Sequence, residues 1–153
     1  MNDRILGIDY GSVRVGLALS DPLGLIATGI GHIYRKNRDM ESVAAEIADL
    51  CARENVSQIV LGLPGRTDGK TGEKELEVRE FAGILAEKTG LTPELFDERF
   101  TTVIAHRIMR DTEVKRHKKR DIVDQVAAEI LLSDYLERRR SQQPARESDG
   151  QIP

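Results

Sequence analysis

Three carboxylates stand where apolar elements stop, or where an apolar helix face is due to be buried. Asp9 follows Ile5-Leu6-Gly7-Ile8 and precedes the turn at Gly11; Glu98 closes the run Leu95-Phe96-Asp97-Glu98; Asp124 precedes Ala127, Ala128 and Leu131 by three, four and seven residues. That last spacing puts Asp124 on the helix face that packs on a sheet. An acid on a buried face is costly unless it is paired or binds a metal. If the ends of these elements converge, their oxygens suit hard divalent cations such as Mg2+ or Mn2+. Two such ions about 4 Å apart would position a water and stabilise the leaving oxygen in phosphodiester hydrolysis. Each acid also has a local reading. Asp9 can open an Asx turn, and Asp121 can be an N-cap with Asp124 in the capping-box position three residues on. Asp97 and Glu98, adjacent in a strand, point to opposite faces, so one of them can simply be solvated.

Phosphate-binding chemistry has two further candidates. Lys115-Arg116-His117-Lys118-Lys119-Arg120 is a basic run in a chain whose formal net charge is -3, so attraction to nucleic acid must come from charge distribution and not from the total. Gly69-Lys70-Thr71 lies between a strand and a helix, as in a Walker A loop, but the position that should carry that loop's first glycine is Pro64. Proline has no N–H to donate to a phosphate, so nucleotide binding is not expected there.

The elements that must position these groups can be read in chain order. Ile5 to Leu19 is a hairpin, and Leu25 to Tyr34 a third strand in an antiparallel meander. On the first strand Asp9 shares a face with Gly7 and Ile5 while Leu6 and Ile8 share the other, so one face should be crowded and the other open beside the acid. Gly11 and Gly16 allow a turn and a close approach. Asp39 to Glu54 is a helix with Met40, Val43, Ala44, Ile47 and Leu50 or Cys51 on one stripe. Gln58 to Pro64 is an apolar run without alternation, expected for a buried parallel strand. A helix from about Glu73 to Thr89, with Leu76, Phe81, Ile84 and Leu85 as core candidates, ends at Gly90. Leu95 to Glu98 is the last strand, and Thr101 or Thr102 caps a helix carrying Ile104, Ala105, Ile108 and Met109. Asp111 to Arg120 reads as a basic loop, and Asp121 opens a final helix to about Arg139. The order β-β-β-α-β-α-β-α-α makes an α/β mixed sheet flanked by helices.

With 153 residues, one domain is expected over residues 1–139, followed by a disordered polar tail over 140–153. No apolar stretch approaches the ~20 residues of a membrane span, and Met1 to Arg4 leaves no room for a signal peptide before the first strand, so the cytoplasm is the expected compartment. Cys51 is the only cysteine, which excludes an internal disulfide and a cysteine-based zinc site; it is read as core. His32 reads as an ordinary strand residue and His106 as surface.

Four motifs in this order are specific together: Gly7-Ile8-Asp9-Tyr10-Gly11 with Arg14 and Gly16; Gly62-Leu63-Pro64 with Asp68-Gly69 and Gly72; Asp97-Glu98-Arg99 with Thr102; and Val123-Asp124 with Ala127-Ala128. Over about residues 4 to 138 the chain resembles the YqgF/RuvX family. The resemblance implies an RNase H-like fold, a mixed five-stranded sheet of three antiparallel strands and then parallel ones. It implies a divalent-metal nuclease related to Holliday-junction resolvases, with a role in 5′-end maturation of pre-16S rRNA in ribosome biogenesis. Carried over, Asp9, Glu98 and Asp124 are the catalytic metal ligands, with Asp9 expected between two Mg2+ or Mn2+ ions. Arg14, Arg99 and Thr102 contact the substrate backbone or orient the acids. Lys115, Arg116, Lys118, Lys119 and Arg120 grip phosphates, and Asp121, which resembles the paired aspartates of the resolvases, is a candidate fourth ligand. The implied partner is RNA, within a pre-ribosomal particle or alone; the alternatives are branched DNA cut by a dimeric resolvase and a non-catalytic RNA-binding assembly factor. With aromatics at 4%, base stacking is not expected to dominate binding.

Overall fold

The computed structural model describes residues 3–63, 71–97 and 116–142, with the backbone alone for 71 and 116–125. Strand β1 (Arg4–Tyr10) is the middle one of five, with a different kind of neighbour on each edge. On one side β2 (Arg14–Ser20) runs antiparallel with Asp9 opposite Gly16, and β3 (Ala27–Tyr34) extends the meander with His32 opposite Gly16. On the other, β4 (Val56–Leu63) runs parallel to β1 and β5 (Glu94–Asp97) parallel to β4, giving the sheet order β3-β2-β1-β4-β5. This is the mixed sheet of three antiparallel and then parallel strands that the sequence predicts. A parallel neighbour needs a crossover, and α1 (Met40–Arg53) supplies the one between β3 and β4. Asp39 caps it by accepting from the Ser42 N–H at 2.7 Å. α2 (Thr71–Thr89) supplies the crossover from β4 to β5, and α3 (Arg116–Ser141) follows.

Alternation along β1 separates two cores. Leu6, Ile8 and Tyr10, with Val15, Leu17, Ile59 and Leu61, pack against Val43, Ala44, Ile47 and Cys51 of α1 and Val78, Phe81 and Leu85 of α2. Ile5, Ala18, Ala27 and Val60 pack against Ala128, Leu132, Tyr135 and Leu136 of α3. The face carrying Gly7 and Asp9 is therefore covered and not open, which corrects the expectation from sequence. A Cβ placed on Gly7 would lie 2.9 Å from the Cβ of Leu132, so the missing side chain serves the close approach of α3.

Three other expectations are corrected. Leu76 is not core but 69% exposed. The buried stripe Val78, Phe81, Leu85 projects back three residues onto Glu75, which is buried and accepts from Arg79 Nε at 3.0 Å; Leu76 is rotated a further 100° or so away. The final helix starts at Arg116 and not at Asp121, so residues 116–120 are helical and Asp121 is not the N-cap. Lysine and arginine are good helix formers, and here that propensity outweighs the capping signal. β4 also starts earlier, at Val56, and β3 later, at Ala27. The loop at 64–70, Glu98, the helix expected after Thr101 or Thr102, and the tail from 143 lie outside the described residues. Among the described residues no helix is long and apolar enough to cross a membrane.

Two measurements test this packing. Gly7→Ala forces α3 away from β1 and is expected to cost about 1–3 kcal/mol, read as a lower urea midpoint with helix content retained. Cys51 is buried as predicted, and burial pushes its thiol up from 9.0 to about 11. The folded protein thus keeps a proton that the unfolded chain loses, and stability should fall as pH rises from about 9 to about 11. Cys51→Ser, less stable overall, should lose part of that decline relative to wild type.

Candidate functional site

Parallel strands finish on one edge of a sheet, and here β1, β4 and β5 bring Tyr10, Leu63 and Asp97 to that edge. Asp9 lies one residue inside it, 5% exposed. The turn that follows does not require its carboxylate, because the Gly11 N–H donates to the carbonyls of Asp9 at 3.1 Å and Arg14 at 2.9 Å. The backbone closes this turn, and strand alternation puts the Asp9 carboxylate on the α3 face of the sheet.

α3 runs antiparallel to β1. Leu132 stands over Gly7, while Leu136, Arg139 and Arg140 line a cleft with Asp3 and Ile5 at the start of β1. Followed toward its N-terminus, the helix therefore heads for the Asp9 end of the sheet. Asp124 lies two turns before Leu132, about 12 Å along the axis, and Asp121 and residues 116–120 come earlier still. Tyr135 fixes this alignment: its Oη donates to Glu94 Oε1 at 2.9 Å and accepts from Gln58 Nε2 at 2.6 Å. Burial, with the Glu94 carboxylate second, raises the Tyr135 hydroxyl above its usual value.

Of the residues singled out from sequence, Asp9 and Arg14 are described in full. Asp121, Asp124, Arg116, Lys118, Lys119 and Arg120 are placed on the α3 backbone, and Glu98, Arg99, Thr102 and Lys115 lie outside the described residues. Among the described residues no three His, Cys, Asp or Glu side chains gather as a metal cluster. The donor chemistry of the sequence-assigned set is nevertheless all carboxylate oxygen, with Asp9 already held away from bulk water, and that set fits a hard divalent cation and not a soft one.

Sequence reasoning assigned no site role to three residues that the structure places around the turn after Asp9 or in the adjoining rows of the sheet. Arg35, just after β3, donates from Nε to the Gly11 carbonyl at 2.6 Å, from Nη1 to Tyr10 Oη at 2.9 Å and from Nη2 to Glu77 Oε2 at 2.9 Å. Its guanidinium also lies 4.2 Å from the Tyr10 ring centroid, and Tyr10 stacks on Phe81 of α2 at 4.3 Å. The turn after Asp9 is thus tied to α2 through one side chain. Burial raises the Tyr10 hydroxyl, an effect the Arg35 charge opposes. The other two, His32 and Tyr34, lie on β3 in the rows opposite Gly16 and Arg14. Register alone creates these relations, so no local signal could have revealed them.

The RuvX family, described as Holliday junction resolvase, matches residues 3–138. A protein of Moorella thermoacetica named "Putative pre-16S rRNA nuclease" is 41% identical over 135 residues, 88% of this chain and 95% of its own. One of Myxococcus xanthus with the same name is 39% identical over 137 residues, 90% and 89% of the two chains. RuvC of T. thermophilus, solved in complex with Holliday junction substrate, superposes with a TM-score of 0.55 at 13% identity, covering 89% of this chain and 96% of that one. That likeness establishes the RNase H-like fold.

The Arg35 clamp generates a stability prediction. Arg35→Ala removes three hydrogen bonds to charged or buried acceptors and should cost about 2–3 kcal/mol in urea unfolding. Arg35→Lys should recover only part of it, because an ammonium cannot serve three acceptors in one plane.

Proposed function

This chain belongs to the RuvX family, and on that premise we propose that it is a divalent-metal-dependent endonuclease acting in 5′-end maturation of pre-16S rRNA. The observation that carries the proposal is the buried Asp9 at the edge of the sheet toward which α3 carries Asp124. Residues 1–139 form the nuclease domain in this proposal, the cytoplasm is its compartment and a pre-ribosomal particle its setting.

Asp9, Glu98 and Asp124 hold Mg2+ or Mn2+, with Asp121, three residues before Asp124 on the same helix, as a fourth ligand. Bound there, two metal ions supply an activated water at neutral pH and neutralise charge on the leaving oxygen. The chain's own contribution is positional. Burial of Asp9 on the central strand limits the orientations of its carboxylate, and Glu98 follows the last residue of β5 in sequence. Arg14, opposite Tyr34 on β2, contacts the substrate backbone from the side away from β4, and Arg99 and Thr102 do so after β5. Lys115 and the α3 residues Arg116, Lys118, Lys119 and Arg120 grip phosphates without reading bases, so binding should weaken steeply with salt.

The family description and the fold shared with RuvC favour one second reading, a resolvase that cuts branched DNA as a two-fold dimer. A single experiment separates the two: cleavage of a 5′-extended pre-16S rRNA fragment and of a four-way DNA junction, with Mg2+ or Mn2+, by wild type and Asp9→Asn. The expected result is metal-dependent cleavage of the RNA, reduced about a hundredfold or more in the mutant. Cleavage of the junction alone would make the protein a resolvase. A folded protein that binds RNA and cuts neither substrate would be an assembly factor and not a nuclease.

A further inference from the structure

Beside Asp9, on the same face of the sheet, β2 and β3 carry Arg14, His32 and Tyr34. Opposite residues on neighbouring strands point to one side, so the pairings Asp9 with Gly16, Gly16 with His32, and Arg14 with Tyr34 put all three on the Asp9 side. Gly16 is the only residue between Asp9 and His32 in that row. Two strand spacings separate Asp9 from His32, about 10 Å.

The three side chains form a ledge. The Arg14 guanidinium lies 4.8 Å from the Tyr34 ring centroid and donates from Nη2 to Tyr34 Oη at 3.1 Å. The His32 ring meets Tyr34 edge-on, with centroids 5.1 Å apart and planes at 81°. Tyr34 is thus oriented by a cation and by a second ring, yet it remains 51% exposed. The turn beyond it carries the exposed Lys36 and no acid before Asp39. A flat aromatic surface held in one orientation next to a cation suits one chemical class: an unstacked nucleobase whose adjoining phosphate faces the arginine. A cross-strand Tyr–Arg pair also stabilises a sheet edge, and with Ile33 buried in the core on the α1 face alternation puts Tyr34 on the side of the acid; what points to a ligand there is that the oriented ring stays half exposed.

We propose that Tyr34, oriented by Arg14 and His32, is the stacking subsite for a single unpaired base close to the scissile phosphate. The proposal rests on the nuclease reading of Asp9 but adds to it a base-binding residue outside the acidic and basic sets. It agrees with the scarcity of aromatics: one platform fixes the strand locally while phosphate contacts supply most of the affinity.

The test uses the full chain in EDTA with a uridine decamer carrying one central 2-aminopurine, read by quenching and by anisotropy at several salt concentrations. Cleavage of the pre-16S rRNA fragment with Mg2+ is measured in parallel. Tyr34→Leu should weaken binding about tenfold and abolish the quenching that accompanies it, with the salt slope unchanged. Tyr34→Phe should keep the quenching and bind within about threefold of wild type. Arg14→Ala should lower the salt slope by about one phosphate contact. Wild-type quenching and affinity in Tyr34→Leu would overturn the proposal, as would a lowered salt slope in that variant or equal losses in Leu and Phe. The two readings fail separately. Tyr34-dependent quenching without cleavage by any variant removes the nuclease and leaves the ledge, and cleavage indifferent to Tyr34 with no quenching removes the ledge and leaves the nuclease.

Discussion

The contact between Gly7 and Leu132 is the constraint on which the site depends. α3 lies on β1 at a distance that no Cβ at position 7 permits, and this approach aligns the helix with the strand that carries Asp9. Interiors are packed too densely for such a contact to shift without moving its neighbours. Moving α3 by one side chain's thickness would change the separation of Asp9 from everything the helix carries toward that end. Tyr135, bonded to both Gln58 and Glu94, pins the other end of the helix to β4 and β5. A polar contact across the sheet thus sets the alignment, and an apolar one sets the distance.

The opposite face of the sheet fixes the turn after Asp9. Tyr10 points away from Asp9, stacks on Phe81 and receives Arg35, whose guanidinium also reaches the Gly11 carbonyl and Glu77. An arginine suits this position because its planar fork serves three acceptors at once. The residue that carries the chemistry and the residue that anchors it are adjacent in sequence and lie on opposite sides of one strand. Alternation makes that division of labour possible.

Much of this was legible in the sequence. The order of the described elements, the mixed sheet and the alternation of β1 follow from apolar runs and their periods, and the burial of Cys51 follows from its place on a helix. The errors have physical causes. Leu76 was assigned to the core because it is apolar, while Glu75, on the buried stripe, is held there by Arg79. Asp121 looked like a cap because aspartate commonly is one, yet the helix begins five residues earlier in a stretch of lysine and arginine. His32 is the strand residue the sequence indicates, but its alignment with Asp9, and that of Tyr34 with Arg14, comes from strand register and not from neighbouring sequence. Motif resemblance extended to the acids, whose roles depend on convergence that no single segment encodes.

The outer strand β3 differs from the interior of the sheet in a way that bears on how the protein behaves when concentrated. β5, at the other edge, is described over Glu94–Asp97. β3 pairs with β2 through a register shift at Leu17/Ala18, contains Gly31 at φ 129°, and gives its Gly29 N–H to Glu129 Oε1 of α3 at 3.1 Å. A bulged strand is a poor template for a foreign strand. The β3 margin is therefore guarded against edge-to-edge addition of further copies, the kind of self-association that leads to fibrils.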